Sequence, residues 1–126
     1  MTTEELLLRA MLLLEIAEEE SKESNLKKSI EICSEAIKLQ PSPQAYSLLA
    51  NAFFKLNNKR EAKDNFNHVL RLIQSKLIEQ RTKEDYIAAI TAEIKLKELS
   101  NNTTEKYSTQ ALNRGILTRD EIERIR

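Results

Sequence analysis

The clearest local signals in this sequence are helix starts, in which a short oxygen-bearing side chain is followed three residues later by an acid. In such a pair the first side chain accepts a hydrogen bond from an unpaired backbone N–H group of the new helix, and the acid accepts one from the first residue. The pairs are Thr2 with Glu5, Asn58 with Glu61, Thr82 with Asp85, Asn102 with Glu105 and Thr118 with Glu121. Ser42 before Pro43 marks another start, because proline fits the first helical position. So many starts in so short a chain predict a protein built from helices.

Apolar residues between these starts recur at steps of three and four, as in Ile30, Cys33 and Ile37. This spacing places them on one face of a helix. The chain has one Gly and two Pro, so few of its residues favour turns. We therefore predict an all-α protein, with Gly115 closing the sixth helix in the left-handed conformation. The predicted helices cover residues 3–22, 26–39, 43–56, 59–80, 83–99, 103–114 and 119–126.

The charge balance argues against nucleic acid as a partner. Twenty Lys and Arg balance twenty Asp and Glu, so there is no net positive field to attract phosphate groups. The charge is unevenly spread, because residues 1–25 carry seven acids against two bases, a net charge of −5. Such a stretch suits either a solvated helix face or an end that attracts a basic partner.

The sequence also bears on location. The stretch from Leu6 to Ala17 is nearly all apolar, but Arg9 and Glu15 interrupt it and it is too short to span a bilayer. The preceding Met-Thr-Thr-Glu-Glu lacks the basic leader of a signal peptide. Cys33 is the only cysteine, which excludes an internal disulfide and favours a reducing compartment. We expect a soluble, cytoplasmic protein that does not act at a membrane.

No set of residues suggests catalysis, a metal site or a cofactor. His68 is the only histidine, and Asp64 one turn earlier favours a surface ion pair over a general base. Cys33 falls on an apolar helix face, which predicts an inert core thiol. The lone Gly115 cannot form a glycine-rich phosphate loop. We predict that the protein is not an enzyme and has no cofactor.

Residues 44–72 carry the ordered large and small side chains that two closely packed antiparallel helices need. Small Ala50 and Ala62 would let the helices approach while larger side chains fill the space around them. The full set is Tyr46, Leu49, Ala50, Phe53, Ala62, Phe66 and Leu70. This segment resembles the tetratricopeptide repeat (TPR), a family of stacked helix pairs, although Asn57-Asn58 and Val69 depart from the usual residues at their positions.

The resemblance continues on both sides of this segment. Residues 29–41 resemble the second helix of an earlier copy, and Ala92 and Ala111 have about the separation expected of a degenerate third copy. We therefore expect one domain, 1–126, with copies near 10–43, 44–76 and 83–114 and a capping helix at 119–126. The resemblance implies six or seven helices stacked as a short right-handed solenoid.

Proteins of this family bind other proteins in a groove lined by the first helix of each pair. The resemblance therefore implies a non-catalytic adaptor that binds a peptide or a helix. The implied groove residues are Met11, Leu14, Glu18, Lys22, Ser47, Asn51, Phe54 and Lys55, extended by Glu93 and Lys97. Asn51 would then bond the ligand backbone or remain a solvated side chain, and Phe54 would be a groove anchor or part of the core.

Some family members bind the C-terminal carboxylate of a chaperone through Lys, Asn and Arg side chains. Asn51 and Lys97 fit that pattern, but Leu14, Glu18 and Glu93 stand at its other positions. Two carboxylates would repel the incoming carboxylate. A chaperone tail is therefore disfavoured as the ligand.

The first predicted helix is apolar on nearly every side, although a terminal helix has neighbours on only part of its surface. Leu8, Leu12 and Leu13 are candidates for a self-interface in a homodimer or a homo-oligomeric scaffold, or for capture of an apolar partner helix. In the remaining alternative, the last helices fold back and cover this surface.

Overall fold

The fold is seen in a computed structural model that describes residues 2–20, 23–100 and 105–126, without the side chains of residues 15–20. These residues form seven α-helices, one short 3-10 helix and no strand, so the predicted all-α class is confirmed for them. The helices are α1 (Thr3–Glu20), α2 (Glu23–Leu39), α3 (Pro43–Lys55), α4 (Lys59–Ser75), α5 (Lys83–Ser100), α6 (Lys106–Asn113) and α7 (Arg119–Ile125), with the 3-10 helix at Ile78–Gln80.

Five of the predicted helix starts are formed as expected. In each, the cap side chain accepts a hydrogen bond from the backbone N–H three residues later. The caps are Thr2, Ser42, Asn58, Thr82 and Thr118. The pairing is reciprocal at α7, where the Thr118 N–H donates to the Glu121 carboxylate at 3.1 Å. The predicted cap at Asn102 lies outside the described residues.

The prediction of one helix from 59 to 80 is wrong at its C-terminal end. α4 ends at Ser75, and Lys76 has extended backbone, with φ −81° and ψ 143°. The reason is a set of contacts that the local sequence does not reveal. The buried Arg81 returns to donate from Nε to the Ile73 carbonyl at 3.1 Å, and Lys76 Nζ reaches the buried Asp85 carboxylate at 2.7 Å. These interactions stabilise a chain reversal where helical periodicity predicted continuation.

The helices pack mainly with their neighbours in sequence. α2 contacts α1 and α3, and α4 contacts α3 and α5. α3 also touches both α1 and α5, so α1, α3 and α5 lie side by side. Ala50 of α3 and Ala62 of α4 are fully buried, as predicted for the close approach of this pair.

Two main groups of buried side chains, with a small third group made of Leu14, Leu26 and Ala52, hold the described helices together. The larger joins α3, α4, α5, α6 and α7, with Phe66, Ile73 and Tyr86 fully buried. The smaller joins α1 and α2 to α3 and includes Cys33 and Leu49. α3 therefore contributes to both.

The C-terminal helices pack at the α5 end of the molecule. Gly115 follows α6 with φ +68°, the left-handed conformation predicted for it, and the Ile116 N–H donates to the Ala111 carbonyl at 3.0 Å. α6 and α7 then pack against α5. Leu8, Met11 and Leu12 of α1 remain exposed, so in the described part of the chain the last helices do not cover the first.

Candidate functional site

The main candidate site is an open groove of about 310 Å³ between α1, α3 and α5. It exists because these three helices lie side by side and small or short side chains stand between them. The groove residues are Met11 of α1, Gln44, Ser47 and Leu48 of α3, and Glu84, Ile87, Ala88 and Thr91 of α5. The groove can therefore receive apolar side chains while its rim offers an amide, two hydroxyls and a carboxylate.

The exposed apolar residues of the groove are Met11 and Ile87, on opposite walls. Met11 is 47% exposed and Ile87 is 38% exposed. Large aliphatic side chains left in water in this way favour association, because burial of each stabilises a complex by up to about 1.5–3 kcal/mol.

Several polar groups of the groove already have partners within the protein. The Gln44 amide donates from Nε2 to Asp85 Oδ1 at 3.4 Å, and Thr91 Oγ1 donates to the Ile87 carbonyl at 2.8 Å. Asp85 is almost completely buried. Its burial alone would raise the pKa of Asp85, but hydrogen bonds from Lys76 and the Thr82 N–H, with the Lys76 charge, hold that pKa below its usual value. The Gln44 side chain of the groove is thus hydrogen-bonded to a carboxylate whose charged form is favoured.

The residues predicted in α3 differ in their surroundings. Ser47 lines the groove. Asn51 and Lys55 are half-buried farther along the same helix. Phe54 packs against the larger core, and Lys95 Nζ lies 4.5 Å from the centre of its ring. Phe54 is therefore part of the stacking core, with a lysine over its outer face.

Of the groove residues predicted in α1, one lines the groove and another is buried in the core. Met11 lines the groove. Leu14 is only 5% exposed and packs with Leu26 and Ala52, so it stabilises the contact of α1 with α2 and α3 and does not offer its side chain to a ligand. The prediction for Leu14 is therefore wrong in this respect. The side chains of Glu18 and Lys22 lie outside the described residues.

The expected extension through Glu93 and Lys97 is also wrong. Glu93 is only 5% exposed and accepts a hydrogen bond from the Tyr107 N–H at 3.1 Å, at the start of α6. Glu93 and Lys97 both line a different cavity of about 460 Å³ that Ser108 of α6 and Arg126 also border. Glu93 therefore cannot repel a ligand in the groove, where the described carboxylate is that of Glu84.

Sequence reasoning missed the α5 groove residues because it aligned the third copy on Ala92. The helix caps provide a better alignment: Ser42 with Thr82 makes Ser47 equivalent to Ile87. Both of these residues line the groove. The cap motif was thus the signal that could have located this wall.

The exposed apolar surface of α1 continues from the groove. Leu8 is 57% exposed and Leu12 is 49% exposed, and with Met11 they follow the spacing i, i+3, i+4. We call Leu8, Met11 and Leu12 the α1 strip. Leu13, the third residue predicted at a self-interface, is half-buried against the smaller core.

His68 and Cys33, the two side chains considered for catalysis, are both at least partly buried. The His68 ring stacks on Tyr46, with 4.1 Å between centroids, and contacts Arg71 in place of the expected Asp64. Partial burial and the Arg71 charge lower the pKa of His68. Cys33 is fully buried, and burial raises its pKa to about 11.

Among the described residues, no three His, Cys, Asp or Glu side chains are grouped so that they could hold a metal ion. None of the described helices combines the length and the apolar character that a membrane crossing requires. Comparison of the chain with protein-family models, curated proteins and solved structures gives no match.

Proposed function

We propose that this protein is a non-catalytic interaction module that binds a segment of another protein in the groove between α1, α3 and α5. The observation that carries the proposal is the groove itself, where Met11 and Ile87 stand exposed on facing walls. Exposed aliphatic side chains in a concave surface with few polar groups are the usual features of a binding site.

We further propose that the helices form a short TPR-like right-handed solenoid, with α1/α2 and α3/α4 as its first two pairs. The contacts of α2 with α1 and α3, and of α4 with α3 and α5, support this view. In such a stack the first helices of successive pairs line one continuous surface.

The cytoplasm is the location that the lone, buried Cys33 supports best.

Affinity capture tests the proposal. We expect wild-type protein, used as bait in a cell lysate, to retain a defined set of proteins, and Ile87→Asn to lose most of it. Ile87 lies in the groove, so a polar side chain there removes apolar contact without disturbing the core. Leu77→Asn is the matched control, because Leu77 is 64% exposed in the segment between α4 and α5. Equal capture by wild type, Ile87→Asn and Leu77→Asn would contradict the proposal.

A second candidate function is that of a homo-oligomeric scaffold subunit that associates through α1. The exposed Leu8 and Leu12 support it. Sedimentation velocity over a wide concentration range tests this candidate. A scaffold subunit forms a concentration-dependent oligomer that Leu8→Asn dissociates, whereas a species that is monomeric throughout excludes it.

A further inference from the structure

We infer that the partner segment is an amphipathic helix with basic residues beside its apolar face, and that it docks along the α1 strip with one apolar side chain in the groove. This inference rests on the proposed function and names the chemistry of the ligand.

The first step concerns the form of the ligand. An extended peptide has unpaired backbone N–H and C=O groups that need partners at the binding surface. The described polar side chains of the groove are the four of Gln44, Ser47, Glu84 and Thr91, and both Gln44 and Thr91 already donate a hydrogen bond within the protein. A helix satisfies its backbone internally and needs mainly apolar contact. The groove therefore suits a helix better than an extended strand.

The second step concerns the shape of the surface. Leu8 and Leu12 share one ridge of α1 and Met11 lies beside them, so the three form a continuous apolar row about one turn long, and Met11 is shared with the groove. Two helices pack side by side through rows of this spacing. A partner helix on this row could reach Ile87 across the groove, so a single apolar face would cover both surfaces.

The third step concerns charge. The first 25 residues have a net charge of −5. Glu4 near the start of α1 and Glu84 at the groove are both exposed. The row is not uniformly acidic. Arg9 and Lys28 border the far side of Leu12 together with Glu31 and Glu35, and Lys95 lies at the other end of α3 and α5 over Phe54. Among the described residues around the row and the groove, acids nevertheless outnumber bases, and this balance attracts basic side chains.

The same charge argues against a second copy as the occupant. Packing α1 against α1 of another molecule, in either direction, brings two segments of net charge −5 together. Like charges across an interface oppose association. A basic helix gains the same apolar contact without that repulsion.

Two synthetic peptides test the inference against the full-length protein. Both are amphipathic helices with the same leucine face, and their polar faces carry lysine in one and glutamate in the other. We expect the lysine peptide to bind at least about tenfold more tightly by fluorescence anisotropy, and less tightly as salt is raised. The combined change Glu4→Gln and Glu84→Gln should weaken it by roughly two- to fivefold.

Groove variants separate this inference from the proposed function. Ile87→Asn should weaken binding of the lysine peptide, and Leu77→Asn should leave its affinity unchanged.

Equal binding of the two peptides would overturn the basic-helix inference and leave the groove function standing. If neither peptide binds but Ile87→Asn still fails to capture the lysate proteins, the basic-helix inference is overturned and the groove function stands. If Ile87→Asn also captures the same lysate proteins as wild type, the proposed function fails too. A homodimer that dissociates on Leu8→Asn would identify the occupant as a second copy and overturn the inference.

Discussion

The side chain of Glu93 combines burial with a structural hydrogen bond. Its carboxylate accepts a hydrogen bond from the Tyr107 N–H at the start of α6, while burial raises its pKa to about 7. In the unfolded chain the pKa of a glutamate is near its ordinary value of 4.5. Between these values the folded protein holds a proton that the unfolded chain has lost. Stability therefore falls as pH rises through this window.

Replacing Glu93 by Gln should remove this pH dependence. Glutamine keeps an oxygen that can accept from the Tyr107 N–H but carries no charge. We expect the free energy of unfolding of the wild type to fall by roughly 2–3 kcal/mol between pH 5 and pH 8. Glu93→Gln should vary much less over that range and be the more stable protein at pH 8. Urea titrations at several pH values measure both, and parallel pH profiles would contradict the assignment to Glu93.

The starts of the helices were predictable because each depends on residues three apart. Thr118 and Glu121 need only each other to form a cap. The end of α4 was not predictable in this way, because Arg81 and Asp85 act on it from beyond the helix. Local chemistry thus located helix starts, and contacts between distant residues determined where α4 stopped.

The groove was predictable in part for a related reason. Ser47 and Met11 follow from the pattern of one repeat and its neighbour. Ile87 does not follow from that pattern, because α5 has no small residue at the position equivalent to Ala50. Alignment of the third copy on Ala92 therefore predicted a face of α5 that points away from the groove. Leu14 was misjudged because sequence alone could not show that Leu26 and Ala52 cover it.

The contact of α3 with α4 leads to a direct packing test. Ala62 is completely buried in the larger core, so Ala62→Leu forces extra methylene groups into a filled space. We expect a loss of about 1–3 kcal/mol in the free energy of unfolding. Lys63→Leu, at the exposed next position, should change it by less than about 0.5 kcal/mol. Thermal or urea denaturation compares the two, and equal effects would show that the α3–α4 contact is loose.

At the scale of the whole molecule, the buried side chains that the structure describes divide unequally between two parts of the fold. The larger cluster contains fifteen of them, from α3 to α7, while nine in two smaller clusters hold α1 and α2 to α3. α1 and α2 contact the rest of the described fold mainly through α3, so they can separate from it without opening the larger cluster. We therefore expect α1 and α2 to open first.

Hydrogen exchange should show this order directly. We expect backbone amides in the middle of α1 and α2 to exchange at least about tenfold faster than those in the middle of α4 and α5, a difference of about 1.4 kcal/mol in opening free energy. Mass spectrometry of peptic fragments after timed labelling gives the comparison. Equal protection along the chain would indicate that both clusters unfold together.

The early end of α4 has a geometric consequence for the groove. If that helix continued from Ser75 to Gln80, its five extra residues would add about 7.5 Å to its length. The first turn of α5 would then begin that much farther from Gln44, and Ile87 would lie beyond the wall formed by Ser47. The reversal at Lys76 therefore sets the position of Ile87 relative to Ser47, and a change in the length of this short connection would reshape the groove without replacing any residue that lines it.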